Sequence, residues 1–340
     1  MIFTPAALKN ITLPGRMIRS ATEFFAADEK GHIPQMELDA YKILGRQPLG
    51  MIITAHTCIS PEGWSNKHQN AAWSEDYLEE CTVLAQNAKA GGVPAVMQLG
   101  HGGERGKNNN GGLPVYTPDT MTAEEIRHLI CSFGRAAKLA KDAGFDGIML
   151  HAAHGYLLSQ CFCPASNHRT DAYGGTAEKR FRIVREAALE VKKTCGDAFP
   201  VFMKINGDDY GDTEEYHRDL VTALNIADEC GIEAAEISGN RPSRGPEDTE
   251  PYFIENIRRL VNETDLPLIE VGGIRTRAHM EAVLEAGAKA FSLSRPLICD
   301  PELPAKFRDG KEDTVIPCLS CGKCFRPMDL TKKHRCVQFE

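Results

Sequence analysis

Short apolar runs of strand length recur along the chain, and longer stretches with a different period separate them. Eight such runs stand at residues 17–22, 50–55, 94–99, 146–151, 201–206, 234–239, 267–272 and 288–293. The stretches between them carry apolar or small residues three and four apart. Residues 123–143 place Ile126, Leu129, Ile130, Phe133, Ala136, Ala137 and Ala140 on one face, the spacing of a helix with a single buried side. Ala143-Gly144, Cys230-Gly231 and Ala286-Gly287 supply the glycine that can close a helix in the left-handed conformation before the next strand. Eight alternations of strand and helix predict a (β/α)8 TIM barrel in the α/β class. A doubly wound open sheet is the competing architecture. It calls for a glycine-rich phosphate loop after the first strand, and the chain reads Ser20-Ala-Thr-Glu-Phe-Phe25 there instead.

Several runs end on a polar residue: Thr54, Gln98, His151, Lys204 and Ser238. In a parallel barrel the C-terminal strand ends carry the ligand, so these residues predict one polar mouth. The densest cluster is His151-Ala-Ala-His154-Gly-Tyr156, directly after the fourth run. Glycines follow the seventh run, in Val271-Gly272-Gly273-Ile-Arg-Thr276, and Ser294-Arg295 follows the eighth. Those two loops form the usual phosphate site of such barrels, because glycine lets backbone N–H groups approach phosphate oxygens. A phosphate-bearing ligand is expected.

Composition and charge narrow the class. The 340 residues are 42% hydrophobic and 25% charged, enough to bury a large core. With 39 basic and 47 acidic residues, the net charge of −8 argues against a nucleic-acid or anionic-membrane partner held by bulk electrostatics. No run reaches the length of a membrane span, and Met1-Ile-Phe-Thr-Pro5 lacks a basic-then-apolar leader, so a cytoplasmic protein with a small-molecule partner is expected. Of twelve cysteines, eight are scattered through predicted strands and helices, as buried thiols in a reducing compartment would be. The other four are in the tail: Cys318-Leu-Ser-Cys321-Gly-Lys-Cys324, with Cys336 beyond. Four thiolates at this spacing can complete a [4Fe–4S] cluster or a tetrahedral zinc site, or can remain metal-free. The expected division is a barrel over residues 1–310 and a cysteine-rich tail over 311–340 packed on it.

The central signature resembles that of the old yellow enzyme family of FMN-dependent NADH:flavin oxidoreductases. It comprises the His-Ala-Ala-His-Gly-Tyr motif, then Cys163-Pro-Ala-Ser-Asn167-His-Arg169-Thr-Asp171-Ala-Tyr173-Gly-Gly175, then Arg180-Phe-Arg182. Gln98-Leu-Gly-His101-Gly-Gly and Val271-Gly-Gly-Ile match two further family motifs. The resemblance implies non-covalent FMN, NAD(P)H as reductant, and reduction of an alkene conjugated to a carbonyl or nitro group. It implies that His151 and His154 hydrogen-bond the substrate oxygen and that Tyr156 protonates the α-carbon. For the flavin it implies Ala21 and Thr22, Ala55 and His56, Gln98, and Lys204 where many relatives place arginine. For the phosphate it implies Gly272, Gly273, Ser294 and Arg295. Arg169, Asp171, Tyr173 and Arg180 read as a structural clasp.

Relatives of the dienoyl-CoA reductase branch carry a [4Fe–4S] cluster in a similar tail, with one more residue between the second and third cysteines. The resemblance therefore leaves two roles open: an ene-reductase, or a redox relay that exchanges electrons with a protein partner. A homo-oligomer is also implied. The loops at residues 104–115 and 210–216 are expected to shape the substrate site.

Overall fold

The computed structural model describes residues 1–209, 211, 213–239, 251–324 and 336–339. Its core is a closed parallel barrel of eight strands: β1 (Met17–Arg19), β2 (Met51–Ile53), β3 (Ala95–Gly100), β4 (Gly147–Ala152), β5 (Val201–Asn206), β6 (Ala235–Ser238), β7 (Leu268–Val271) and β8 (Ala290–Leu293). Each strand pairs in parallel with its sequence neighbours, and β8 pairs with β1, Phe291 opposite Met17, which closes the ring. All eight predicted strands are present: β3, β4 and β5 keep the expected length, and the other five are shorter.

Helices follow the strands: α1 (Gln35–Leu44), α2 (Leu78–Ala88), α3 (Ala123–Asp142), α4 (Ala177–Cys195), α5 (Glu214–Glu229), α6 (Ile254–Leu260), α7 (Arg277–Glu285) and α8 (Leu303–Arg308). α3 starts with a capping box, in which the Thr122 hydroxyl accepts from the Glu125 N–H and the Glu125 carboxylate accepts from the Thr122 N–H. Its predicted face is the buried one, with Ile126, Leu129, Phe133, Ala136, Ala137 and Ala140 inside. Gly144, Gly231 and Gly287 all take positive φ, between 80 and 104°, as the strand-side stops require.

The barrel interior follows from the two-residue period of a strand. Ile18, Met51, Ile53, Val96, Met149, Phe202, Ala234, Ile269 and Ala290 form one buried cluster. Ala6 and Leu13, from a small N-terminal hairpin, join the same cluster. Two residues further along each strand the same inward face is reached again. That next layer is Ser20, Ala55, Gln98, His151, Lys204, Glu236, Val271 and Ser292. The apolar layer fills the barrel, and the more polar layer above it stands at the C-terminal mouth.

Beyond β4 the expected clasp is present. Arg169 ion-pairs with Asp171 and donates to the Pro118 and Met121 carbonyls, and Tyr173 donates to Glu186. Arg180, 6% exposed, donates to the Phe162 carbonyl at 2.8 Å and also binds Gly175 O and Asp219. Of the eight scattered cysteines, Cys58, Cys81, Cys161, Cys195, Cys230 and Cys299 are buried. Cys131 is exposed and Cys163 half-buried, so the expectation of eight buried thiols holds for six, and none of the twelve is in a disulfide. Cys131 lies outside the buried face that the periodicity of α3 defines. No described helix is long and apolar enough to cross a membrane. Replacing Arg180 by alanine leaves the buried Phe162 carbonyl without its donor. It is expected to lower the unfolding free energy by about 2–3 kcal/mol, measurable by denaturant titration.

Candidate active site

A cavity of about 360 Å³ opens at the C-terminal end of the barrel. It is lined by Ala21, Thr22, His56, Gln98, His151, His154, Tyr156, Lys204, Gly272, Gly273, Ser294 and Arg295. Every predicted flavin and catalytic position except Ala55 thus borders one space. Ala55 is buried one residue before His56 and does not line it.

His151 ends an inward face of β4 and is 3% exposed. Its ring centroid is 5.0 Å from that of His154, 4.9 Å from Tyr156 and 4.7 Å from His56. His56 and Tyr156 are 4.6 Å apart. His154 reaches this cluster through a left-handed backbone, φ 62°, which costs an L-residue about 1–2 kcal/mol. Three contacts hold it there: its N–H donates to Asn206 Oδ1 at 3.0 Å, Arg105 donates to its carbonyl, and its Nε2 is 2.8 Å from Ser238 Oγ. Asn206 ends β5 and Ser238 ends β6, so two strand tips, with Arg105 from the loop after β3, fix one histidine.

Electrostatics keep the imidazoles neutral. Burial lowers His56 and His154 to about 3, with Lys204 adding to the effect in both, and burial pushes His151 well below the ordinary value. A neutral imidazole keeps one N–H donor and one acceptor nitrogen. His151 Nδ1 and His56 Nε2 are buried without a hydrogen-bond partner. Burial also raises Tyr156, with Glu23 adding to it, so the phenol holds its proton at neutral pH.

The opposite side of the cavity suits a phosphate. Gly272 and Gly273 take φ of 127° and 73°, which L side chains rarely adopt, and a side chain on Gly272 would meet the Tyr252 ring at 2.9 Å. Arg19 donates to Ser294 O at 2.6 Å, and Thr22 Oγ1 is 2.8 Å from Ser294 Oγ, so β1 pins the loop after β8. His101, from the Gln98 motif, is not in the cavity. It accepts from the Gly103 N–H at 3.1 Å, stacks on Tyr116 at 5.3 Å and is held at about 3 by burial, a structural part.

The family model for the NADH:flavin oxidoreductase / NADH oxidase family matches residues 1–314. The chain belongs to this family, within the old yellow enzymes. It is therefore an oxidoreductase of the NAD(P)H- and FMN-dependent type. It is 30% identical to an NADPH dehydrogenase of Bacillus velezensis, over 93% of this chain and 96% of that protein. It is 29% identical to an NADH oxidase of Thermoanaerobacter brockii, over 94% of this chain and 52% of that protein. The chain thus spans about half the length of that NADH oxidase. An old yellow enzyme homologue from Zymomonas mobilis superposes with a TM-score of 0.78 at 24% identity, over 91% of this chain and 92% of that one. A 2-naphthoyl-CoA reductase superposes with a TM-score of 0.84 at 23% identity, over 94% of this chain and 54% of the other. At these identities the two structures speak for the fold.

Residues that motif reading passed over also shape the site. Arg105 lies 5.5 Å from the Tyr156 ring centre and donates to the His154 carbonyl. Glu236 ion-pairs with Lys204 at 2.8 Å. Glu236 carried a visible signal, an acidic residue inside the apolar strand Ala-Ala-Glu-Ile, whereas Arg105 sits in a polar loop with nothing to single it out. Tyr210, in a loop expected to shape the substrate site, lies outside the described residues. In the tail, Cys318, Cys321, Cys324 and Cys336 line a second, small cavity together with Cys299. Among the described residues, no three His, Cys, Asp or Glu side chains converge in a metal-holding group. The tail segment at residues 325–335 lies outside the described residues.

The neutral imidazoles generate a stability prediction. Below pH about 6.5 the unfolded chain takes up protons on His56, His101 and His154, while the folded chain refuses them until about pH 3. Protons bound preferentially by the unfolded state lower stability, so Tm is expected to fall as pH drops from 6.5 toward 4. A Tm flat across that window would contradict the buried, neutral cluster.

Proposed function

We propose that the chain uses NAD(P)H to reduce the C=C bond of an alkene activated by a conjugated carbonyl or similar group. The observation that carries this reading is the cluster of His151, His154 and Tyr156 at one cavity beside the glycine turn, with a buried imidazole nitrogen left unpartnered. The cavity's residues fit FMN: Ala21, Thr22, His56, Gln98 and Lys204, with Ala55 behind, would hold the ring system, and Gly272, Gly273, Ser294 and Arg295 the phosphate. FMN, when bound, supplies hydride, taken from NAD(P)H and given to the alkene β-carbon.

The chain's own residues do the rest. Hydride arriving at the β-carbon pushes an electron pair toward the substrate oxygen, and His151 and His154 bind that oxygen as its charge grows. Neutral rings serve here, because a donor N–H stabilises the charge without surrendering its proton. Tyr156 then gives its phenolic proton to the α-carbon and recovers it from solvent. The 3% exposure of His151 and the burial around it keep bulk water from competing for the oxygen.

A second reading rests on the tail. Arg295 lines both the main cavity and the small cavity that holds the four tail cysteines and Cys299. In this reading the tail thiols hold a [4Fe–4S] cluster, through which FMN exchanges electrons with a protein partner; zinc on the same thiols has no redox chemistry and would be structural. The resemblance adds a homo-oligomer, and twelve free thiols suit a reducing, cytoplasmic setting.

Anaerobic stopped-flow separates the two. In the ene-reductase reading, flavin reduced by NAD(P)H is reoxidised rapidly by cyclohexenone. His151→Ala slows that step about 100-fold, as loss of one oxyanion donor does. Tyr156→Phe slows it while leaving reduction by NAD(P)H near the unaltered rate. Reoxidation by cyclohexenone no faster than the buffer control would sink this reading. Iron and acid-labile sulfide measured on anaerobically purified protein test the tail. About four irons per chain support the cluster, and zinc or no metal removes it.

A further inference from the structure

Lys204 lines the main cavity, and its only charged neighbour among the described ion pairs is Glu236, at 2.8 Å. The two face each other across adjacent strands, Glu236 opposite Lys204 in the β5–β6 register. Both point into the barrel, at 3% and 0% exposure. Lys204 borders the cavity and Glu236 does not, so the carboxylate stands behind the ammonium as seen by a ligand. Ser20 Oγ, 3.0 Å from Lys204 Nζ, fixes the ammonium from β1. Glu236 Oε1 is buried without a hydrogen-bond partner, so the lysine is the counter-charge on which this carboxylate depends. Such a carboxylate is costly to bury and leaves the fold's apolar layer untouched, which sits one step lower at Ala234 and Phe202.

We propose that Glu236 sets the reducing power of the bound flavin by cancelling the charge of Lys204. The inference rests on the FMN reading of the cavity. A lone buried cation beside the flavin would favour its reduced, anionic form. A neutral pair favours it far less, because the carboxylate's field opposes the ammonium's over the same short distance in a medium that screens poorly. The reduced flavin is then less stable and a stronger hydride donor. Glu236 acts through Lys204 and is a positioning residue, not a catalytic one.

The test is the ratio of FMN affinities, reduced over oxidised, and the midpoint potential that the ratio determines. Both are measured on the full chain by titration of apoprotein and by spectroelectrochemistry. Glu236→Gln leaves Lys204 uncompensated. It is expected to tighten reduced FMN over oxidised FMN by tenfold or more, a positive shift of about 30 mV for a two-electron couple. The double variant Lys204→Met with Glu236→Gln restores a neutral site of similar volume and should return close to the unaltered potential. It also serves where the single variant does not fold. A merely structural pair would weaken both oxidation states of FMN alike and leave the potential in place. An unmoved or more negative potential in Glu236→Gln, or a double variant displaced as far as the single, overturns the inference while the flavin reading stands. Apoprotein that takes up no FMN overturns both.

Discussion

Closure of the eight-stranded parallel sheet is the constraint on which the molecule depends. Once β8 pairs with β1, every strand has neighbours on both edges and side chains alternate strictly between the barrel interior and the helices. The lower inward layer is apolar and packs as one cluster. The layer above it inherits the same direction, whatever its chemistry. Gln98, His151, Lys204 and Glu236 are polar groups forced inward by that alternation: Glu236 pairs with Lys204, and Gln98, His151 and Lys204 border the cavity.

The same closure explains how side chains far apart in sequence act together. His154 is held by groups from the tips of β5 and β6 and by Arg105 from the loop after β3. Lys204 is held by Ser20 from β1 and Glu236 from β6. Each contact spans a large sequence separation, yet each is local on the barrel rim. The strained backbone of His154 is tolerated because these partners jointly determine it. The tail reaches the same rim: Arg275 contacts Ser320, and Arg277 pairs with Glu312. This brings the thiol cavity next to Arg295.

Burial then decides the chemistry of the site. Imidazoles that would be partly protonated near neutrality in water are neutral here, because burial removes the solvent that would stabilise their charge and Lys204 opposes that charge further. The phenol of Tyr156 is pushed the other way by the same burial. One environment thus prepares neutral hydrogen-bond donors and a retained acidic proton side by side, with Glu23 adding to the hold on the Tyr156 proton.

Much of this was legible along the chain because periodicity reports burial locally. Apolar runs marked all eight strands, five of them with a polar residue at the C-terminal end, spacing marked the buried face of α3, and the glycines at 144, 231 and 287 marked the stops. Motifs named the cavity residues, all but Ala55 of which line it. What the chain alone determined was therefore which residues lie on which element and which end of the barrel is polar. Only the tertiary structure decided the partners: Glu236 behind Lys204, Arg105 beside Tyr156, Ser238 on His154, Cys299 among the tail thiols. The physical reason is that an ion pair or a ring contact depends on distance through space. In a closed barrel that distance is set by strand register and loop path, and neither is written in a run of neighbouring residues.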